Sequence, residues 1–240
     1  MTGDYFMQDL YFKNEDHLNV FVKNLQFIGF GSEGCCYKLN KNTVFKYLCG
    51  PSYEEKTKDE ILQFKNVKIP NYVFAQNIAY LNDEIVGVLM RYISGKKVEN
   101  KLFQVRISSL IKAFDDLVVA TRKLSKLGIS VYDICTVNML YNNSRFYLID
   151  TMDYVKKDID SEQIFIDNMV AITKEIESAI IPLSVLNFIN SIPEICKFRK
   201  DNDLLVNPSY ILKILSGELN NYFGYEIKTF AEASKKLVKN

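Results

Sequence analysis

Between Gln26 and Leu48 the chain reads as three short extended runs with three glycines folded into the first joint. Gln26-Phe27-Ile28 leads into Gly29-Phe30-Gly31-Ser32-Glu33-Gly34, and Cys35-Cys36-Tyr37-Lys38-Leu39 leads out. Thr43-Val44-Phe45-Lys46-Tyr47-Leu48 then follows an Asn40-Lys41-Asn42 turn and carries one Lys among apolar neighbours. Glycines let a backbone bend tightly and approach a polyphosphate, offering N–H groups to its oxygens, and a nearby Lys can reach the same oxygens as a point charge. Gly29, Gly31, Ser32, Gly34 and Lys46 are therefore candidate phosphate contacts. A Gly-x-Gly-x-x-Gly that opens a helix, with an acidic residue about 20 positions on, would mark a dinucleotide-holding unit. Here β-branched and aromatic residues follow the glycines, and Lys46 stands about that far along. The pattern is strand, glycine turn, strand, Lys strand.

At 240 residues with 48% hydrophobic side chains, the chain can bury a sizeable core as one large domain or two small lobes. Lys and Arg number 30 against 29 Asp and Glu, so no global charge argues for nucleic acid or an anionic membrane surface. Cys35, Cys36, Cys49, Cys135 and Cys196 show no ligand-like spacing with the single His17, and a reducing, cytoplasmic compartment is the expectation. No signal-like segment follows Met1 and no apolar run approaches the roughly 18 residues of a membrane span, so neither secretion nor a membrane is expected.

Before the glycines, Asn14 to His17 can cap a helix whose Leu18, Phe21, Val22 and Leu25 share one face. Beyond the Gly50-Pro51 breaker, Tyr53 to Asn66 reads as a helix offering Glu54, Glu55 and Glu60 as partners for Lys46. Val73–Leu81 and Glu84–Ile93 read as a hairpin about Asn82-Asp83. Together these predict a five-stranded antiparallel sheet plus helix. A buried helix is expected over Gln104 to Leu127, with Gly128 as its C-cap, and short strands turn about Asn142-Asn143. Helices are expected over Ser161–Ile180, Pro182–Ile192, Pro208–Tyr222 and Thr229–Val238.

Two polar islands interrupt the apolar region 129–150. Asp133 precedes Asn138 by five positions, and Asp150 ends a strand-like Leu148-Ile149. Phosphoryl transfer needs a group that orients or deprotonates an acceptor hydroxyl, and hard oxygen donors that hold Mg²⁺ on the phosphates. Asp133, Asn138 and Asp150 are residues of those types. Each also has a structural reading, as turn, strand-end or snorkelling side chains.

With these residues in this order, the chain resembles the protein-kinase-like superfamily over roughly residues 26–150. Ile28 to Gly34 is similar to its glycine-rich loop, and Val44-Phe45-Lys46 to its Val-Ala-Ile-Lys strand. Glu60-Ile61-Leu62-Gln63-Phe64 followed by Ile69-Pro70-Asn71-Tyr72-Val73 is similar to the helix with the Lys-pairing Glu and the turn after it. Val88 to Ile93 is similar to the strand entering the hinge, Gly128 to Leu140 to the catalytic loop, and Asp150-Thr151-Met152 stands where Asp-Phe-Gly is usual. The resemblance implies an α+β, two-lobed fold: an N-lobe over 1–93 with the five-stranded sheet and a mainly helical C-lobe over 94–240, with ATP between them. It implies that Lys46 holds the α/β-phosphates, Glu60 holds Lys46, Asp133 is the catalytic base, and Asn138 and Asp150 bind Mg²⁺. Met90 would be the gatekeeper, and Arg91 to Ile93 would offer backbone groups to adenine.

The chain also departs from that family. Val131-Tyr132 replaces the His-Arg before the catalytic Asp, Cys135 stands where a phosphate-binding Lys is usual, Thr151-Met152 replaces Phe-Gly, and no Ala-Pro-Glu follows. The resemblance thus implies an ATP- and Mg-dependent kinase acting on a protein Ser/Thr or a small-molecule hydroxyl, with transfer of another part of ATP as a related chemistry. The alternative is a pseudokinase that binds nucleotide or a protein partner. The charges of Lys197, Arg199, Lys200, Asp201 and Asp203 do not decide the acceptor.

Overall fold

The computed structural model describes residues 8–100, 102–191 and 206–238. Cys196 and the charged positions 197–203 lie outside the described residues. The fold is α+β, and the chain divides into two compact units. The first takes the chain up to Lys68, then Val73–Ile93 and Asp150–Met152; the second takes Ile69–Tyr72, Ser94–Ile149 and the chain from Asp153 on.

The first unit is a mixed six-stranded sheet with two helices. Its strands are β1 (Leu10–Phe12), β2 (Gln26–Gly31), β3 (Gly34–Lys38), β4 (Thr43–Tyr47), β5 (Ala75–Leu81) and β6 (Glu84–Arg91), in the order β1-β5-β6-β4-β3-β2. The last five run antiparallel to their neighbours, as the sequence pattern predicts. The sixth, β1, is an addition, parallel to β5. Three residues carry too little alternation to be read as a strand. Its edge is fixed by Asp9, whose Oδ1 accepts from the Ile78 amide and from Asn77 Nδ2, each at 3.0 Å.

Helix α1 (Glu15–Lys23) starts where expected, because Asn14 Oδ1 accepts from the His17 amide at 2.9 Å and Glu15 and Asp16 sit at the positive end of the dipole. Its Leu18, Phe21 and Val22 pack on Phe12, Phe45, Ala79 and Leu89. Successive strand residues point to opposite faces, so burying Phe45 against α1 turns Lys46 to the other face of the sheet.

The helix expected over Tyr53 to Asn66 contracts to α2 (Lys58–Leu62). Thr57 takes an extended conformation as its N-cap and closes a capping box with Glu60, which stops the helix from growing backwards. The Asn82-Asp83 turn is as expected, with both residues at positive φ, 49° and 67°, as a two-residue hairpin with the sheet's twist requires.

The second unit is built on α3 (Ile107–Lys126), whose Leu110, Phe114, Leu117 and Leu124 are almost wholly buried. Gly128 follows it at φ 75°, a left-handed exit that a side chain would strain. Strands β8 (Ile129–Ser130) and β11 (Val155–Lys156) pair with each other, and β7 (Lys96–Lys97), β9 (Met139–Asn142) and β10 (Arg145–Leu148) form a small sheet. The β9–β10 turn falls one residue later than predicted. Asn143 and Ser144 occupy it at φ 47° and 57°, while Asn142 pairs with Arg145 in the ladder. Helices α4 (Ser161–Ile180), α5 (Leu183–Asn190), α6 (Pro208–Phe223) and α7 (Phe230–Leu237) complete the unit, close to their predicted spans. No helix among the described residues is long and apolar enough to cross a membrane.

Candidate functional site

In the first unit the chemistry gathers around Lys46. It stands mid-strand on β4, opposite Cys36 on β3 and Val88 on β6, and its side chain is 5% exposed. Its Nζ donates to Asp150 Oδ1 at 2.6 Å and to Glu33 Oε2. Burial alone would pull the ammonium down, but the charges and hydrogen bonds of Asp150 and Glu33 outweigh it and hold the group above its ordinary value. Lys46 is therefore a fixed cation. Asp150 is the more open of its partners, with a side chain one-third exposed.

Asp150 reaches Lys46 from a left-handed backbone, φ 61°, which Asp tolerates better than most residues. The next residue secures it. Thr151 is buried, and its Oγ1 donates to the Val73 carbonyl at 2.9 Å, while Lys56 Nζ reaches the Met152 carbonyl at 3.5 Å. Thr151 thus ties the segment 150–152 to the rest of this unit.

Glu33 stands in the two-residue turn between β2 and β3. Here the structure corrects the expected pairing. Glu60 does not meet Lys46; its Oε2 accepts from the Thr57 amide and the Thr57 hydroxyl, each at 2.7 Å, in an exposed capping box. In that box Thr57 holds Oε2 of Glu60, and the acid beside Lys46 comes from the glycine turn instead. Glu54 and Glu55 are exposed as well.

The turn itself is pinned. The Gly50 amide donates to the Glu33 carbonyl at 2.9 Å, and the Ser52 amide to the Ser32 carbonyl at 3.2 Å. A Cβ on Gly50 would collide with the backbone of residues 32–34, and one on Gly34 with the Tyr47 carbonyl. Gly29 and Gly31 differ from both. A Cβ at either would meet nothing within 4 Å, and neither has a positive φ, so the fold itself does not require glycine there. A β-bulge interrupts the β2–β3 register between Phe27 and Gly29.

Cys36, the cross-strand neighbour of Lys46, has its thiol pushed up to about 11, chiefly by burial, with Lys46 opposing and Asp150, Cys35 and Glu33 adding to the rise. Met90 is buried on β6, Arg91 is exposed at its end, and Ile93 is half-buried. Between them, the Tyr92 amide donates to the Asn42 carbonyl at 2.8 Å.

The second unit holds Asp133 and Asn138. Asp133 is exposed, at φ 47°. Asn138 ends a single 3₁₀ turn, Thr136–Asn138, and its amide nitrogen stands 3.5 Å from the Asp133 carbonyl oxygen, at the limit of a hydrogen bond. Its own carbonyl accepts from the Ile149 amide at 2.9 Å. Cys135 is half-buried and its thiol is raised, mainly by burial, so it is not an activated thiolate.

The entry to this loop depends on a residue the sequence reading passes over. Asn168 on α4 is 1% exposed. Its Oδ1 accepts from the Val131 amide at 2.9 Å, and its Nδ2 donates to the Ile129 carbonyl at 3.0 Å and to Ser125 Oγ at 3.1 Å. A lone Asn on the apolar face of a long helix was the available signal. Asn71 does a similar job: its Nδ2 donates to the Phe146 carbonyl at 2.9 Å and its carbonyl accepts from the Leu148 amide at 2.7 Å.

Among the described residues, no group of three or more His, Cys, Asp or Glu side chains could hold a metal ion by themselves. Any Mg²⁺ taken by Asp150 or Asn138 would need a ligand's own oxygens to fill its shell, which is how this ion usually binds with nucleotides.

No family model and no curated protein matches this chain. Among solved structures it is similar to a twitchin kinase fragment of C. elegans, described as an autoregulated protein kinase with immunoglobulin domains. That match has 15% identity and a TM-score of 0.45, and covers 55% of this chain and 33% of the other. A superposition of that quality does not by itself establish a shared fold.

Proposed function

We propose that this chain is an ATP- and Mg-dependent phosphotransferase with a compact protein-kinase-like fold, its N-lobe running to about residue 93 and its C-lobe from about residue 94. The observation that carries the reading is the Lys46–Asp150 pair, two residues 104 positions apart in the chain that meet at 2.6 Å beside a pinned glycine turn. Gly29 and Gly31 support it, because glycine where the protein itself leaves room for a Cβ suits the close approach of something outside the protein.

In this reading Lys46 holds the α/β-phosphates, and the amides of Gly29, Gly31, Ser32 and Gly34 donate to the phosphate oxygens. Met90, Arg91 and Ile93 line the adenine end. The Asp150 carboxylate and the Asn138 amide oxygen are hard donors of the kind Mg²⁺ takes. Bound Mg·ATP would supply the phosphoryl group and neutralise the charge that develops as it transfers. Asp133 orients the acceptor hydroxyl and takes its proton. The acceptor is a protein Ser/Thr or a small-molecule hydroxyl. The four described cysteines are free, in keeping with a reducing, cytoplasmic setting.

The test is incubation with γ-labelled ATP and Mg²⁺, with protein and small-molecule acceptor pools, beside Asp133→Ala. Label moved by the wild type alone supports the reading. Nucleotide that binds while no label moves under any condition would make the chain a nucleotide-binding module instead.

A further inference from the structure

We propose that Glu33, carried on the glycine turn, is the acidic residue that positions Lys46 for phosphate, and that Glu60 has no part in this; the inference rests on the phosphotransferase reading above. Lys46 is 5% exposed and Glu33 15%, so their ion pair is shielded from the solvent that would otherwise screen it. A buried ammonium that must meet an incoming phosphate needs a partner that fixes its direction without moving. Glu33 meets that need. Its backbone is held by the Gly50 amide, its neighbour Ser32 by the Ser52 amide, and Gly50 has no room for any side chain against this turn.

The family resemblance gives this job to Glu60 on α2, but Glu60 is placed at the start of its own helix and not at Lys46. Its Oε2 accepts from the Thr57 amide and hydroxyl, closing the cap of its own five-residue helix. The charge set around Lys46 is nonetheless that of a phosphate-binding lysine: one ammonium, one carboxylate that holds it, and a second, more exposed carboxylate on Asp150. What changes is the element that delivers the holding acid. Placement of Lys46 is coupled to closure of the 32–34 turn onto residues 50–52, and α2 does not govern it.

The experiment uses the full chain as wild type, Glu33→Gln, Glu33→Asp and Glu60→Gln. First, without nucleotide, acylation of Lys46 by a small amine-reactive ester is followed by peptide mass spectrometry from pH 8 to 10. Glu33→Gln takes away one of the two carboxylates that engage the Lys46 ammonium and leaves the amine freer to react, so it is expected to acylate about tenfold faster. Glu33→Asp falls between, and Glu60→Gln matches the wild type. Second, Mg·ATP affinity is measured by titration with a fluorescent ATP analogue. Glu33→Gln is expected to bind at least about fivefold more weakly, with partial recovery in Glu33→Asp.

Acylation that responds to Glu60→Gln and not to Glu33→Gln overturns the inference. So does tighter nucleotide binding by Glu33→Gln, which would make Glu33 a plug in the phosphate site. A wild type that binds no Mg·ATP overturns the phosphotransferase reading and the phosphate part of this one. The acylation contrast then decides alone whether Glu33 or Glu60 holds Lys46.

Discussion

Lys46 and Asp150 lie 104 residues apart in the chain, and their Nζ and Oδ1 lie 2.6 Å apart within one compact unit. Asp150 follows a strand of the second unit, yet the segment Asp150–Met152 packs with the first, tied by Thr151 to Val73. The buried ammonium of Lys46 thus depends on a residue contributed from late in the sequence.

Replacing Lys46 with Met leaves Glu33 and Asp150 facing each other with no cation. Breaking a buried ion pair from one side costs about 3–5 kcal/mol, because the remaining charges stay desolvated. Urea unfolding at pH 7 should show a loss of that order. Asp150→Asn, which leaves Lys46 its Glu33 partner, should cost less. Equal losses from the two substitutions would show that Glu33 does not hold Lys46.

At the alkaline end, Cys36 and Lys46 act in the same direction. The Cys36 thiol rises from 9.0 to about 11 on folding, mainly through burial, so folding favours its protonated form. Its contribution to stability is fully present below about pH 9 and is lost as the pH climbs through about 11. Lys46, also raised, loses its contribution above its unperturbed 10.5. At pH 8 the native Cys36 thiolate is about a hundredfold scarcer than that of an unfolded thiol. Iodoacetamide followed by peptide mass spectrometry should therefore label Cys36 about that much more slowly in native protein than in urea.

Much of this is legible in the sequence where one element decides a residue's place. The alternation Val44-Phe45-Lys46 turns Lys46 away from the α1 face, and the apolar positions of Ser161–Ile180 define α4 without further help. Glu33 is not legible as a partner, because its pairing depends on where Gly50 and Ser52 hold the turn, a contact between segments. The cap of α2 has a signal that the sequence reading passes over: Thr57-Lys58-Asp59-Glu60 is a capping-box pattern, which places the Glu60 side chain at the start of its own helix. Strand β1 is too short to show a period.

The glycines should divide into two kinds. Gly50→Ala forces a Cβ into the backbone of residues 32–34, and overpacking of that sort costs roughly 1–3 kcal/mol. Gly29→Ala and Gly31→Ala meet open space and should stay within about 0.5 kcal/mol of wild type, as surface substitutions do. If a nucleotide sits against this backbone, the same two variants should bind Mg·ATP more weakly without being less stable. Thermal unfolding and nucleotide titration on the three proteins separate the two kinds.

The capping box gives a separate check on α2. Thr57→Ala removes the hydroxyl that accepts from the Glu60 amide, and losing a Thr cap costs about 1 kcal/mol. The loss should appear in urea unfolding while Lys46 acylation stays at the wild-type rate. A change in Lys46 reactivity would reopen α2 as its support.

Asn168 is a demanding structural position in the second unit. It is buried on an apolar helix face, and it accepts from the Val131 amide and donates to the Ile129 carbonyl and to Ser125 Oγ. Asn168→Leu keeps much of the volume but leaves the Val131 N–H and the Ile129 C=O without that partner. An unsatisfied buried backbone group costs about 1–3 kcal/mol, so a total of roughly 3 kcal/mol is expected. Two residues beyond Val131 stands Asp133 in a left-handed conformation, which persists only where the surroundings hold it. Hydrogen exchange at the Val131 amide should be slow in the wild type and fast in Asn168→Leu. If Asp133 takes the acceptor's proton, the turnover of Asn168→Leu should fall while Mg·ATP affinity holds. Unchanged protection at Val131 would show that the strand pairing of β8 and the exit at Gly128 hold this loop without Asn168.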